Sequence, residues 1–109
     1  MANTFKLKTK ANVGVTTVGI YTAPAATTTV VIGITMANTS GSGVNVGVGI
    51  TRAGATEDVK LLKNAPVPQG SSLEFMAGNK IVLEATDTVT VDSVTNNSID
   101  AALTIMEIT

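Results

Sequence analysis

"TTTVVIGITMANTSGSGVNVGVGIT", residues 27–51, alternates apolar residues with small or polar ones and carries no charged residue. Successive side chains of a β-strand point to opposite faces, so this period of two predicts strands rather than a helix. "NTSGSG" (38–43) interrupts the alternation with residues that favour turns. The stretch therefore predicts two long strands joined by a hairpin connection.

Each of these two strands is predicted to have one apolar face. Under strict alternation, the shared apolar face of the first strand consists of Val30, Ile32, Ile34 and Met36. That of the second strand consists of Val44, Val46, Val48 and Ile50. Gly47 and Gly49 fall on the opposite face of the second strand, where we expect bulges or the close approach of another backbone.

Seven further segments have strand-like composition and are bounded by turn-forming residues. They are 5–10, 13–21, 58–63, 72–76, 80–85, 88–94 and 99–108. We expect "NAPVPQGSS" (64–72) to connect two strands. No segment has an apolar stripe of helical period, so we predict no helix. The best helical candidate is a single turn near Glu57.

These segments predict an all-β fold: a single-domain antiparallel β-sandwich of jelly-roll or immunoglobulin-like type, with about eight or nine strands. Residues 1–109 show no composition break and fit one domain. We expect 1–12 to form an N-terminal arm or an edge strand. The last strand is apolar on both faces, which predicts that it is central or covered by a neighbour.

The composition favours association and argues against a reactive site. Charged residues make up 14% of the chain, against roughly 25% in an average soluble domain, and the formal net charge is -1. So little charge protects a monomer poorly against association. No apolar run approaches the ~18 residues that span a bilayer, so we expect no membrane partner.

Neither histidine nor cysteine occurs, which removes the commonest general base, the thiolate nucleophile and the usual zinc ligands. Asp87 and Asp92 are five residues apart, which places them on opposite faces of a strand and not in a catalytic pair. Asp92 could bind a cation together with Glu57 or Asp58, but these residues lack the recurrent Asp-x-Asp spacing of calcium loops. We therefore predict a protein that is not an enzyme, with no cofactor and no metal.

Lys6, Lys8 and Lys10 occupy alternate positions and are predicted to share one face of a strand. Such a row either meets an acidic partner or protects an exposed strand edge from unwanted pairing. We do not expect nucleic-acid binding, because no aromatic stacking residues accompany the lysines.

Two other groups of residues complete the candidate interface. Pro66 and Pro68 stiffen a segment that can pack on a neighbour, and the alternative is an ordinary connection between sheets. The second apolar face of the last strand consists of Ala102, Met106 and Ile108.

A sugar-binding face requires exposed aromatic rings, and the chain has few. We expect Phe5 and Phe75 to lie in the core. We expect the Tyr21 hydroxyl to tether its strand to the following "TAPAA" turn. A host-surface glycan-binding module stays open as an alternative, and it predicts that Tyr21→Ala abolishes glycan binding.

Three stretches resemble a known group: "YTAPAATTTVVIGITMANTSGSGVNVGV" (21–48), "VKLLKNAPVPQGSSLEFMAGNKIVLEATDTVTVDS" (59–93) and "LTIMEIT" (103–109). The "APxPxGSSL" and "KIVLEATD" pieces are the most specific. The chain resembles small β-rich virion structural proteins of tailed bacteriophages, of the type found in cyanophages and marine phages.

The resemblance implies a non-enzymatic part of the virion, assembled in the host cytoplasm. Within that class we expect a capsid decoration (cement) protein that forms homo-oligomers, with a trimer favoured, and that binds the major capsid protein or other virion proteins. The alternative within the class is a protein associated with the tail, baseplate or fibre. The resemblance carries over no catalytic or cofactor residues.

Overall fold

The computed structural model describes residues 3–54, 56–74, 76 and 80–109. Within these residues, nine strands form two antiparallel sheets. The strands are β1 (Asn3–Val13), β2 (Val18–Thr22), β3 (Thr28–Asn38), β4 (Val44–Arg52), β5 (Glu57–Val67), β6 (Ser72–Glu74), β7 (Ile81–Leu83), β8 (Asp87–Ser93) and β9 (Ile99–Ile108). Glu57 begins β5, in agreement with the lack of an apolar stripe of helical period in the sequence.

The two sheets have a jelly-roll arrangement. Sheet A has the order β1-β9-β3-β6, with β7 also pairing with β3, and sheet B has the order β2-β8-β4-β5. The first strand pairs with the last and the second with β8, so the two ends of the chain are wound together. The predicted all-β sandwich is confirmed, and of its two versions the strand order matches the jelly roll.

The core lies between the sheets and consists of alternate residues from their inner faces. Leu103 and Ile105 of β9 are fully buried, as are Val48 of β4 and Val91 of β8. Burying a side chain of this size contributes roughly 1.5–3 kcal/mol, so these alternating residues supply most of the driving force for packing the sheets. The predicted apolar face of β4 is confirmed as a core face, and β9 is central in sheet A, as its two apolar faces predicted.

Strict alternation fails in β3. The register of β3 against β9 shifts between Val31 and Gly33, so that two residues of β3 lie opposite Thr104. This bulge reverses the inward side of the strand: Val31 is buried before it and Ile34 after it. The prediction that one face contains Val30, Ile32, Ile34 and Met36 is therefore wrong for its first two members, which are only partly buried.

The expected irregularities beside Gly47 and Gly49 are confirmed. The register between β4 and β5 shifts on both sides of Val48. A Cβ atom on Gly49 would lie 2.9 Å from the Val59 carbonyl oxygen, which leaves no space for a side chain. β4 needs glycine there because the bulged β5 backbone approaches it closely.

Two predicted strand boundaries are wrong. The segment 13–21 is not one strand: the chain bends after Val13, where Asn96 Oδ1 accepts a hydrogen bond from the Val15 amide, and β2 begins at Val18. At 64–67, β5 continues where we expected a connection, because Val67 is buried and pairs with Val44. Proline is tolerated there because β5 is an edge strand.

Candidate interaction surface

One row of apolar residues crosses the outer face of sheet A. The strand register places Phe5 of β1 opposite Met106 of β9, Met106 opposite Val30 of β3, and Val30 opposite Val82 of β7. Directly opposed residues of an antiparallel pair share a face and lie ≈ 4.5–5.5 Å apart at Cβ. The row therefore forms a continuous apolar strip across four strands.

Three more apolar residues adjoin this row: Leu7 of β1, Ile108 of β9 and Ile32 at the bulge of β3. Phe5 is 68% exposed, Leu7 65% and Val82 60%, and the others are partly buried. The apolar patch, as named below, consists of Phe5, Leu7, Val30, Ile32, Val82, Met106 and Ile108. A contiguous apolar surface of this kind marks an interaction site more often than isolated exposed residues do.

Beyond Thr104, the same outer face is lined by small residues. Thr9, Ala102 and Thr35 lie opposite one another on β1, β9 and β3, and Ala37 follows on β3. They border a shallow depression of about 340 Å³, whose rim includes Asp100. The outer face of sheet A therefore has a bulky apolar half and a recessed half.

The outer face of sheet B has a different character. Its residues on β4 and β8 are Asn45, Gly47, Gly49, Thr51, Thr88, Thr90 and Asp92. At its β5 edge, Lys60 Nζ lies 3.8 Å from Asp92 Oδ2. This face is suited to water, so the apolar patch is a feature of one side of the sandwich.

Lys6, Lys8 and Lys10 do share one face of β1, and it is the inner one. They lie opposite Ile105, Leu103 and Ala101, which are core residues of β9. Because β1 is an edge strand, its inward side chains emerge at the flank of the sandwich and reach solvent there. The outward residues of β1 include Phe5 and Leu7, so the expectation that Phe5 lies in the core is wrong. Phe75 lies outside the described residues.

A buried polar network joins the two sheets at this flank. Tyr21 of β2 donates a hydrogen bond of 2.6 Å to Glu107 Oε2 of β9, and its hydroxyl lies 2.8 Å from Thr29 Oγ1 of β3. Lys6 Nζ lies 2.9 Å from the other Glu107 oxygen, and Lys8 Nζ is 5.9 Å from the centroid of the Tyr21 ring. The expected tether from Tyr21 to the following turn is therefore replaced by a bond across the sandwich.

This network shifts the pKa of both acids. Burial, and next the hydrogen bond to Glu107, raises the pKa of the Tyr21 hydroxyl to about 12. The hydrogen bond from Tyr21, followed by that from Lys6, lowers the pKa of the Glu107 carboxyl. Tyr21 thus stays a donor and Glu107 a charged acceptor over the ordinary pH range. With the Tyr21 ring 8% exposed, it cannot serve as a sugar platform.

The remaining candidate interface residues lie on different parts of the sandwich. Ala102, Met106 and Ile108 are partly buried on the outer face of sheet A. Pro66 lies in edge strand β5 and Pro68 in the turn after it, and both are exposed. The structure brings the β9 residues together with Phe5, Leu7 and Val82, which sequence reasoning missed. The apolar positions that alternate with the lysines in "FKLK" are a signal for Phe5 and Leu7.

The described residues form neither a cluster of metal ligands nor a sizeable cavity between the sheets. Among them, no group of three or more acidic side chains could hold a metal ion. The cavity between the sheets, lined by apolar residues such as Ile34 and Leu103, measures about 10 Å³, which is at most the size of a single water site. No helix in the described part of the chain is long and apolar enough to cross a membrane.

Comparison with known proteins bears on the fold. No protein-family model matches the chain, and no curated protein matches it in sequence. A subunit from Bacillus endospore appendages, described as disulfide-linked pili, is similar in structure with a TM-score of 0.57 and 17% identity over 99% of this chain and 87% of that chain. A chain of infectious bursal disease virus strain Gx has a TM-score of 0.57 and 14% identity, over 95% of this chain and 32% of its own length.

A pentameric capsid protein isolated from metagenomic phage sequences gives a TM-score of 0.44 at 17% identity, over 92% of this chain and 59% of that chain. At these identities the first two likenesses establish the sandwich fold, which recurs with unrelated functions.

Proposed function

We propose that the protein is a non-enzymatic structural component of a bacteriophage virion, most specifically a capsid decoration protein that stabilises the head. The observation that carries the proposal is the apolar patch on the outer face of sheet A, which has no counterpart among the β4 and β8 residues on the outer face of sheet B. Such a patch requires a covering surface, and burial of apolar area is the interaction that the described residues can offer.

Three further features support this function. The sequence resembles small virion proteins over most of residues 16–109. The jelly-roll fold is shared with a chain of infectious bursal disease virus. In the described residues no buried side-chain polar atom lacks a hydrogen-bond partner, which is consistent with a stably packed structural domain.

The likeness to the spore appendage subunit suggests a pilus subunit as a competing function. That structure is described as disulfide-linked, whereas these 109 residues contain no cysteine. The same kind of covalent link between subunits cannot form here, which favours the virion over the pilus. A tail, baseplate or fibre location remains the alternative within the virion.

Purified particles test this function directly. Quantitative mass spectrometry should find the protein in isolated virions, and a gold-conjugated antibody should label the whole head. Labelling confined to one end would favour the tail alternative over decoration. Absence of the protein from particles that are otherwise complete would refute a virion role.

The mass of the purified protein, alone and with empty capsids, would then give its oligomeric state and show whether it binds the head. The sequence-based expectation is a trimer that binds the major capsid protein.

A further inference from the structure

β1 is an edge strand whose side chains contribute little to the core. Residues 3–12 are exposed, apart from a partly buried Lys8. The other edge strand of the same length, β5, places Val67 in the core and packs Leu62 against it. In the described residues, β1 adds to that core only Val13, its last residue. The part of β1 that precedes Val13 is therefore held mainly by its pairing with β9.

A strand held in this way gains little free energy from staying paired. Ordering a residue costs backbone entropy, and the net gain from its hydrogen bond is of similar size. Burial of apolar area normally decides the balance, but Phe5 is 68% exposed and Leu7 is 65% exposed while β1 is paired. The inward positions of β1 carry lysines, whose charged ends favour water over a place between the sheets. β1 can therefore open at little cost in buried apolar surface of its own.

A bulge marks the point at which this opening ends. The register between β1 and β9 is continuous over residues 3–10 and shifts before Val13, and Asn12 has a positive φ of 59°. Beyond the bulge, Val13 is buried, and its carbonyl oxygen accepts a hydrogen bond from the Ser98 amide. Residues 3–10, called the strap below, can leave β9 while Val13 keeps the chain anchored.

One ion pair fastens the strap to β9. Lys6 Nζ lies 2.9 Å from Glu107 Oε1, and the Glu107 side chain is 9% exposed. Tyr21 donates its hydrogen bond to the other carboxylate oxygen without help from β1, so the buried charge keeps a partner when Lys6 leaves. We propose that the strap opens from β9 as a unit, independently of the rest of the sandwich, with the Lys6–Glu107 pair as its latch.

The strap also carries part of the apolar patch. Phe5 and Leu7, two of the three most exposed patch residues, belong to it. The patch is therefore complete only while the strap is closed, and a partner that covers the patch would hold the strap in place. This consequence rests on the proposed function, because it takes the patch as the interaction surface. The opening itself concerns the free chain and does not depend on that function.

Hydrogen exchange followed by NMR on the free protein measures the opening amide by amide. The strap amides that bond to β9 should exchange at least about 100-fold faster than the amides that link β4 to β8. They should also exchange at least about 10-fold faster than the β5 amides that bond to β4. Rates equal to those of β4 would overturn the inference, because the strap would then open only when the whole protein unfolds. Rates equal to those of β5 would overturn it as well, because they would reflect the fraying of any edge strand.

Two lysine variants test the latch. Lys6→Ala should raise the exchange rates of the strap amides by about 3- to 5-fold, the size expected for one partly exposed ion pair, and should leave those of β4 unchanged. Lys10→Ala is the matched control, on the same face of β1 and outside the network. It should change the strap rates by less than about 2-fold. Equal effects of the two variants would overturn the latch.

A disulfide tests the opening without removing the latch. Leu7 lies opposite Thr104, and both are exposed, so a Leu7→Cys/Thr104→Cys protein can join β1 to β9 without altering the core. The natural chain contains no cysteine that could compete. The oxidised protein should exchange its strap amides at least about 10-fold more slowly than the reduced protein, and equal rates would overturn the inference.

These outcomes are separate from those that test the virion role. Fast exchange in the strap supports the inference even if virions lack the protein. Slow, uniform exchange overturns it even if the protein covers the head.

Discussion

The bond that Tyr21 makes between the sheets gives the sharpest prediction for stability. Tyr21→Phe removes the hydroxyl and leaves the ring, so the packing volume is nearly unchanged. The hydroxyl donates to Glu107 at 2.6 Å and contacts Thr29 Oγ1 at 2.8 Å. Both partners are buried: Thr29 is 0% exposed and Glu107 is 7% exposed. The variant therefore leaves a buried hydroxyl without its partner and a buried carboxylate held by Lys6 alone.

The cost follows from these two losses. A hydrogen bond to a charged group contributes roughly 1.5–3 kcal/mol, and a buried polar group left unpaired costs roughly 1–3 kcal/mol. The two terms overlap, and water that enters the gap reduces them, so we expect a loss of about 3 kcal/mol. For a domain of this size that corresponds to a fall in Tm of about 13 °C.

Urea unfolding followed by circular dichroism measures this loss. The matched control is Thr22→Val on the same strand, which removes an exposed hydrogen bond of 2.8 Å to Thr88 and should cost at most about 0.5 kcal/mol. The reasoning is refuted if Tyr21→Phe costs no more than Thr22→Val. A loss under about 1 kcal/mol would equally show that the network adds little to stability.

Four further outcomes are expected. Stability should fall as the pH rises from 10.0 to about 12, because burial raises the pKa of Tyr21 in the folded state and the unfolded chain therefore loses the proton first. Free energies of unfolding measured across this pH range test the fall. The Tyr21→Phe variant should lack it. The ionised Glu107 carboxylate should stabilise the fold above the ordinary carboxyl pKa range. This contribution should be lost as the pH falls through the lowered pKa of Glu107 in the folded state. The Glu107→Gln variant should not show this pH-dependent loss. Gly49→Ala should cost about 1–3 kcal/mol in urea unfolding, whereas Gly33→Ala, with no atom within 4 Å of its added Cβ, should be nearly neutral. Leu103→Ala, at a fully buried site, should cost roughly 2–5 kcal/mol in the same assay, and a loss below 1 kcal/mol would contradict its place in the core.

The alternation in the sequence was sufficient to predict the class of fold and the length of β9. Alternation identifies which residues of a strand share a face. For β4 it also predicts which face points inward, because one face is apolar and the other consists of glycine and polar residues. In β3 the same rule failed at the bulge near Ile32, since an added residue leaves no mark in a run that is apolar on both faces.

The interaction surface could be predicted only in part. Ala102, Met106 and Ile108 were identified from β9, but in β1 hydrophobicity alone would turn Phe5 inward and Lys6 outward. The opposite occurs because the pairing with β9 fixes the register, and Lys6 inward of the edge can reach Glu107. A local sequence pattern does not show which distant strand a segment pairs with, or in which register.

We expect the outer face of sheet A to be covered when the protein is part of an assembled particle. Oxidation of methionine by peroxide measures this directly, because Met106 lies in the patch and Met36 is fully buried as an internal reference. In isolated particles, Met106 should oxidise at least about ten times more slowly than in the dilute free protein, approaching the slow rate of Met36. Equal rates for Met106 in particles and in the free protein would contradict the claim.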